Sequence, residues 1–98
     1  MRGYFLLEIE VKDQAAYAEY LKLAPATVTQ YGGRYLIRGG AVTPAEGGWS
    51  PKRLVLLEFA SVKQAKKWLN SPEYRKIAPI REKSTHSRAV IVEGYGEQ

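Results

Sequence analysis

The decapeptide YGGRYLIRGG, residues 31–40, decides the fold of this chain, because two glycine pairs enclose a segment that alternates like a β-strand. Upstream of it, apolar and aromatic residues recur at steps of three and four from residue 17 to residue 31, which predicts a helix. Asp13 is placed to cap the start of that helix. Gly32 can adopt the left-handed conformation that ends a helix. The first glycine pair is therefore predicted to be a helix stop.

The same glycines also raise the question of a phosphate-binding loop. Such loops place glycines after a strand and before a helix, so that free amide groups at the helix start face the anion. Here the order is helix, glycines, strand, and the second pair, Gly39–Gly40, opens a long connection. The context argues against a phosphate loop.

Working outward from this stretch, period-two alternation predicts four strands. They cover residues 3–12, 34–38, 53–59 and 88–93. Ser61 with Gln64 forms a capping-box pattern for a second helix, and Ser71–Pro72 predicts a further short helix that Pro79 closes. Pro25 is expected to kink or restart the first helix.

The resulting order, β α β β α β, predicts an α+β fold of the ferredoxin-like type in one domain spanning residues 1–98. In this layout an antiparallel sheet carries both helices on one face. Right-handed crossovers place the first and third strands in the centre of the sheet.

The face of the sheet turned away from the helices is predicted to be largely apolar. Its aliphatic residues are Leu6, Leu36, Leu54, Leu56, Val90 and Val92. A sheet that is apolar on both faces needs a second partner. In so short a chain we expect a second copy, giving a homodimer that forms an α+β barrel.

Charged residues interrupt that second face. If Leu36 lies opposite Leu56, Arg34 faces Glu58, and Arg38 faces Leu54 on the same side of the sheet. These charges must be paired, since an isolated buried charge is costly. They form either an ion-pair network that fixes the dimer register or a pocket in which arginine binds an anionic or carbonyl-bearing ligand.

Three further groups of residues are candidates for a site. The connection from residue 39 to residue 52 is long for a hairpin and carries Trp49, which is expected either to cover a pocket or to pack on a neighbouring surface. Trp68 and Tyr74 occur at helical spacing and are expected in the core rather than in contact with a cofactor. His86, the single histidine, lies in a polar stretch and is interpreted either as a solvated loop residue or as a general base.

The composition narrows the class of function. The chain has no cysteine and one histidine, so no transition-metal site or cofactor is predicted. The net charge of +5 comes from dispersed residues without a nucleic-acid-binding motif, which argues against nucleic acid as a partner. The sequence predicts neither a signal peptide nor a membrane-spanning stretch, so a cytoplasmic location is expected.

Four motifs together resemble a known family. They are YGGRYLIRGG, EGGWSPKRLVLLEFAS, AKKWLNSPEYRKIAPIRE and VIVEG, which between them cover most of the chain. They resemble a family of short bacterial proteins of unknown function within the dimeric α+β barrel superfamily. The resemblance implies a ferredoxin-like homodimer. It also implies that the family's recurrent polar positions fall on Arg34, Arg38, Glu46, Trp49, Arg53, Glu58, Tyr74 and Arg81.

Relatives in that superfamily include cofactor-independent monooxygenases, isomerases, haem-dependent enzymes and effector-binding domains, and a shared fold does not by itself establish function. We therefore consider two hypotheses for the function of this protein. The first is an enzyme that oxygenates or isomerises a small carbonyl or aromatic compound, with Glu58 or His86 moving the proton. Its ligand would contact Arg34, Arg38, Trp49, Arg53, Tyr74 and Arg81. The second is a non-catalytic dimer that binds a small acid or serves as an interaction module.

Overall fold

The fold was analysed in a computed structural model, which describes residues 1–96. The elements, in chain order, are β1 (Gly3–Val11), α1 (Gln14–Gln30), β2 (Arg34–Arg38), β3 (Arg53–Phe59), α2 (Val62–Leu69), α3 (Pro72–Ser84) and β4 (Thr85–Glu93). The strands form one antiparallel sheet in the order β2-β3-β1-β4. The predicted α+β, ferredoxin-like fold is confirmed, with β1 and β3 at the centre of the sheet.

Helix α1 begins and ends where the sequence predicts. The Asp13 side chain accepts a hydrogen bond from the amide of Ala16, and Gly32 follows the helix with a φ of 76°. The predicted restart at Pro25 is wrong, because the helix runs through this residue without a break. Proline has no N–H to donate to the carbonyl four residues earlier. The guanidinium of Arg38 donates to that carbonyl, on Leu21, at 2.9 Å, and so replaces the missing bond.

Helix α3 is longer than predicted. Ser71 caps it and Pro72 occupies its first turn, as expected, but the helix continues past Pro79 to Ser84. Proline has no N–H, so Pro79 leaves the carbonyl of Arg75 without its usual amide donor. Both residues are exposed, so water can satisfy that carbonyl. The prediction that Pro79 closes the helix is therefore wrong.

Strand β4 also begins earlier than predicted, at Thr85 instead of Arg88, directly after α3. His86 pairs with Glu10 in the β1–β4 ladder and is exposed. Its interpretation as a loop residue is wrong, because the antiparallel pairing with β1 extends to Val11 and Thr85.

The core lies between the sheet and the three helices. Its largest members are Trp68, Tyr74 and Phe59, with Phe5, Leu7 and Ile9 from β1. Trp68 is 1% exposed, and its ring contacts Phe5 edge-on at a centroid distance of 5.2 Å. The indole N–H donates to the hydroxyl of Thr27 at 3.0 Å, so the one polar atom of the side chain is satisfied. The core placement predicted for Trp68 and Tyr74 is confirmed.

The β2–β3 ladder contains an irregularity that changes one prediction. Arg34 lies opposite Glu58, as predicted, but the register shifts between Tyr35 and Ile37. Ile37 rather than Leu36 lies opposite Leu56, and Arg38 lies opposite Val55 instead of Leu54. Since Val55 faces the helices, the shift turns Arg38 to the helix side, and its predicted place on the other face is wrong.

Candidate functional site

The face of the sheet without helices, which we call the open face, is apolar in its middle. Leu6, Leu54 and Leu56 are half-buried there in the single chain, whereas Val90 is 54% exposed and Val92 49% exposed. The ladder places Leu6 between Leu56 on β3 and Val90 on β4. The structure thus confirms an apolar second face.

Glu58 anchors a cluster at one end of the open face. The Arg34 Nε donates to its carboxylate at 2.7 Å, and the Tyr4 hydroxyl donates to the other carboxylate oxygen at 3.1 Å. Arg2 adds a longer ion pair at 3.6 Å. The hydrogen bond from Arg34 holds the pKa of Glu58 below its usual range. This carboxylate is therefore ionised at neutral pH, which makes it a weak proton acceptor.

Replacing Glu58 by glutamine should flatten the acid dependence of stability. Because the pKa of Glu58 is lower in the folded protein than in the unfolded chain, its contribution is complete above the ordinary carboxyl pKa. That contribution is lost as the pH falls through the lowered value. We expect the urea midpoint of the wild type to fall between about pH 5 and pH 2, and that of Glu58→Gln to fall less.

The control is Glu46→Gln, which changes an exposed carboxylate in the β2–β3 connection that has no ion pair among residues 1–96. Its acid profile should match that of the wild type. A Glu58→Gln profile parallel to the wild type would contradict the ion-pair interpretation.

A second polar cluster lies at the opposite end of the open face. Arg88 on β4 donates to the carboxylate of Glu8, which lies directly across the ladder on β1. The Trp49 indole N–H donates to the other oxygen of that carboxylate at 3.2 Å. Hydrogen bonds from Arg88 and Trp49 lower the pKa of Glu8. Trp49 is thereby fixed against the sheet, although 52% of its surface is exposed.

Two adjoining hollows flank this second cluster. The first has a volume of about 310 Å³ and is lined by Leu6, Glu8, Trp49, Leu54, Arg88, Ala89 and Val90. The second, of about 290 Å³, shares Glu8 and Arg88 with the first and extends to His86 and Ser50. Volumes near 300 Å³ are at the lower end of the range for small-molecule sites.

The other arginines predicted to bind ligand lie on the helix side of the sheet. Arg53 donates to the hydroxyl of Tyr17 at 3.1 Å, and its guanidinium lies over that ring. Arg38 lies over the ring of Tyr35, at 5.1 Å from the centroid. Two Arg–Tyr pairs therefore occupy the space between α1 and the β2–β3 hairpin.

Tyr74 and Arg81 lie deeper, in a buried hydrogen-bonded chain. The hydroxyls of Tyr20 and Tyr74 are 2.7 Å apart, and Arg81 donates to Tyr74 at 3.2 Å and to Ser87 at 2.6 Å. Burial raises the pKa of Tyr20, so this phenol stays protonated. Because Tyr74 has no exposed surface, a ligand can reach it only by displacing core side chains.

The structure thus separates the sequence-predicted site residues into four places. Trp49 and His86 line adjoining hollows, Arg34 pairs with Glu58, Arg38 and Arg53 lie on the helix side, and Tyr74 and Arg81 lie in the interior. Glu58 and His86 are not brought together. They align with Tyr4 and Glu10 of β1, six residues apart and so about 20 Å along the strand.

Sequence reasoning missed the partner of Glu8. The signal was present, because Arg88 has the same parity as Val90 and Val92 on β4 and therefore shares their face. Tyr4 shares the open face with Leu6 by the same alternation, but its hydrogen bond to Glu58 depends on the pairing of β1 with β3. The row of hydrogen bonds that links Tyr20, Tyr74, Arg81 and Ser87 depends on how α1, α3 and β4 pack. Local sequence patterns do not specify that packing.

Among residues 1–96, no group of three or more His, Asp or Glu side chains is arranged to hold a metal ion. In the same part of the chain, no helix combines the length and the apolar character needed to cross a bilayer.

The sequence matches a family described as "Domain of unknown function (DUF1330)" over residues 2–95. The chain belongs to the DUF1330 family. No curated protein matches it. The resemblance inferred from the four sequence motifs, to a bacterial family of unknown function, is thereby confirmed.

Solved structures similar to this DUF1330 chain share its fold. A protein of unknown function from Rhodopseudomonas palustris is 16% identical, with a TM-score of 0.75, over 98% of this chain and 84% of that one. A dimeric ferredoxin-like protein of unknown function from Jannaschia sp. CCS1 is 13% identical, with a TM-score of 0.70. The match covers 96% of this chain and 100% of that chain. SnoaB, a cofactor-independent oxygenase from Streptomyces nogalater, is 11% identical, with a TM-score of 0.57. The match covers 98% of this chain and 95% of that chain.

Proposed function

We propose that this DUF1330 protein is a homodimer that binds a small carbonyl, carboxylate or aromatic compound beside the open face. The observation that carries the proposal is the open face itself, an apolar surface with an ion pair at either end. A contiguous exposed apolar surface rimmed by polar residues commonly marks an interaction site. Homodimerisation through this face is the simplest way to bury it. The Jannaschia protein, which is similar in fold, is described as dimeric.

The arrangement of charges supports face-to-face association. Glu58 is paired with Arg34, and Glu8 is paired with Arg88, within the same chain. A partner can therefore cover the middle of the face without supplying counter-charges for these two carboxylates, which lowers the cost of their desolvation. The pairs also lie at opposite ends of the sheet, so they can define the register of the two copies.

The ligand compartment in this proposal is the hollow beside Trp49. It offers apolar walls from Leu6, Leu54 and Val90, together with polar groups from Glu8 and Arg88. A flat carbonyl-bearing or aromatic molecule would lie against the indole and accept a hydrogen bond from the guanidinium. His86, at the rim of the adjoining hollow, would contact the ligand's solvent-facing side.

Catalysis of the oxygenase or isomerase type is the second candidate, favoured by the fold shared with SnoaB and by the position of His86 beside the same compartment. Among the residues predicted to move a proton, His86 is better placed than Glu58, whose carboxylate is held ionised by Arg34. The geometry supports ligand binding more directly than a reaction, because Glu58 is already paired with Arg34 and His86 is exposed at the rim.

Native mass spectrometry of the untagged protein, under mild and then denaturing conditions, tests the compartment. We expect a species of twice the 11.0 kDa chain mass carrying a discrete small molecule that denaturation releases. Trp49→Ala removes one wall of the hollow and should raise the dissociation constant about tenfold, since a well-packed aromatic contact contributes on the order of 1–2 kcal/mol, so that the bound fraction falls.

Leu23→Ala is the control, because Leu23 is an exposed residue of α1 and does not line the hollow. Its occupancy should equal that of the wild type. A dimer that carries no small molecule in any preparation would contradict the ligand compartment and leave a structural dimerisation module.

A further inference from the structure

A cleft lies on the helix side of the sheet, between the first half of α1 and the start of β3. Its volume is about 470 Å³. Gln14, Tyr17 and Leu21 line it from α1, and Gly39, Lys52 and Arg53 line it from the β2–β3 connection and β3. The cleft meets the second hollow at Ile9, Glu10 and Lys52, but it shares no lining residue with the hollow beside Trp49.

The position of the Arg53 guanidinium in this cleft is fixed from two sides. Its Nε donates to the Tyr17 hydroxyl at 3.1 Å, and its central carbon lies 5.6 Å from the centre of the Tyr17 ring. On the other side, the guanidinium fills the space where a side chain of Gly39 would be. A Cβ on Gly39 would lie 2.1 Å from Nη1 of Arg53, and φ at this glycine is +74°. The positive φ favours glycine at this position, and a side chain here would displace the Arg53 guanidinium.

Arg53 differs from the arginines of the open face in lacking a counter-charge. Arg34 and Arg88 each contact a glutamate carboxylate, whereas no carboxylate in residues 1–96 lies within ion-pair distance of Arg53. Its one hydrogen bond goes to a phenol. A guanidinium has five N–H donors in a planar fork that matches a carboxylate. Most of this donor capacity is unused.

The surroundings of Arg53 suit an anion with an apolar body. Lys52 adds a second positive charge, against the single carboxylate of Glu10 at the rim. Ile9, Val11 and Leu21 supply apolar wall. Arg38 lies nearby, turned to this side by the irregularity in β2 and bonded to the carbonyl of Leu21. Irregularities of this kind often redirect a side chain toward a functional site.

We propose that this cleft binds a small carboxylate with an apolar or aromatic body, held by Arg53. The carboxylate accepts hydrogen bonds from the free N–H groups of Arg53, with Lys52 nearby, and the apolar part lies against Tyr17 and Leu21. The proposed site has no lining residue in common with the compartment beside Trp49, so either can be present without the other.

Titration with sodium benzoate, followed by amide chemical shifts of isotopically labelled protein, tests the site. We expect saturable shifts at Tyr17, Leu21 and Gly39. Benzamide, which has the same ring and no charge, should give no saturable shift at these amides. Equal chemical-shift changes with benzamide would overturn the proposal. So would a benzoate titration that does not saturate at tens of millimolar benzoate, which is about the weakest range for a charge-assisted site.

Two adjacent glycines provide matched variants. Gly39→Ala should displace the guanidinium and weaken benzoate binding about tenfold, as expected for loss of a charge-assisted hydrogen bond. Gly40→Ala should bind like the wild type, because a Cβ there meets no atom within 4 Å. Arg53→Gln keeps Gly39 intact and should give the same loss, so the test survives if Gly39→Ala does not fold. Unchanged affinity in Arg53→Gln would assign that arginine to packing on Tyr17 alone.

Discussion

Leu56→Asp should convert the protein from a dimer to a folded monomer. Leu56 lies on the central strand β3, opposite Leu6 and Ile37, in the middle of the open face. In the proposed dimer a carboxylate there would be buried without a partner, which costs several kcal/mol. We expect the dissociation constant to rise by about a hundredfold or more, measured by light scattering coupled to size-exclusion chromatography.

The fold of the single chain should survive this change, because Leu56 is only half-buried without a partner. Circular dichroism checks that point. Leu23→Asp is the matched control, since it introduces the same charge at an exposed leucine on α1. It should remain dimeric. A Leu56→Asp variant that keeps the dimer mass would contradict association through the open face.

Trp68→Ala should cause the largest loss of stability. The side chain is 1% exposed and contacts the rings of Phe5, Phe59 and Tyr74. Truncating such a residue removes apolar burial and leaves a cavity, which lowers the free energy of unfolding by about 3–5 kcal/mol. Since a domain of this size is stabilised by roughly 5–15 kcal/mol, the variant should unfold at a markedly lower urea concentration.

The control for this prediction is the second tryptophan. Trp49 is 52% exposed and donates one hydrogen bond to Glu8, so Trp49→Ala should lower the free energy of unfolding by about 1 kcal/mol or less. Both variants are measured at one protein concentration, because dimer stability depends on concentration. Similar losses in the two variants would contradict the core assignment of Trp68.

The architecture of the sheet could be predicted from local signals. Gly32 marks the end of α1, and alternation identifies β1, β2 and β3, because these features depend on neighbours in sequence. The pairing of Arg34 with Glu58 followed from keeping aliphatic residues together. The apolar open face followed from the same parity argument.

The errors arose where tertiary contacts outweigh a local rule. Proline normally ends a helix, yet α1 passes Pro25 because Arg38, from a distant strand, bonds to the freed carbonyl of Leu21. The shift near Leu36 has no sequence signal, since no glycine or proline marks it. That shift moved Arg38 to the helix side, where it lies opposite Val55, and so separated it from Arg34, with which it was predicted to share a face.

The candidate site was harder to predict than the fold, for a physical reason. Trp49 belongs to a connection without regular structure, and its hydrogen bond to Glu8 on a different strand places it over the sheet. Tyr74 and Arg81 fit their helix pattern, but their polar partners come from α1 and β4. Side chains that meet across elements are specified by packing, which periodicity does not encode.

Isotope-filtered NOE spectroscopy on a mixture of labelled and unlabelled protein tests the central claim most directly. If two open faces cover each other, methyl groups of Leu6, Leu56 and Val90 on one copy will show contacts to open-face residues of the other. Intermolecular contacts confined to helix residues such as Leu23, or no such contacts together with a monomer mass, would contradict the account.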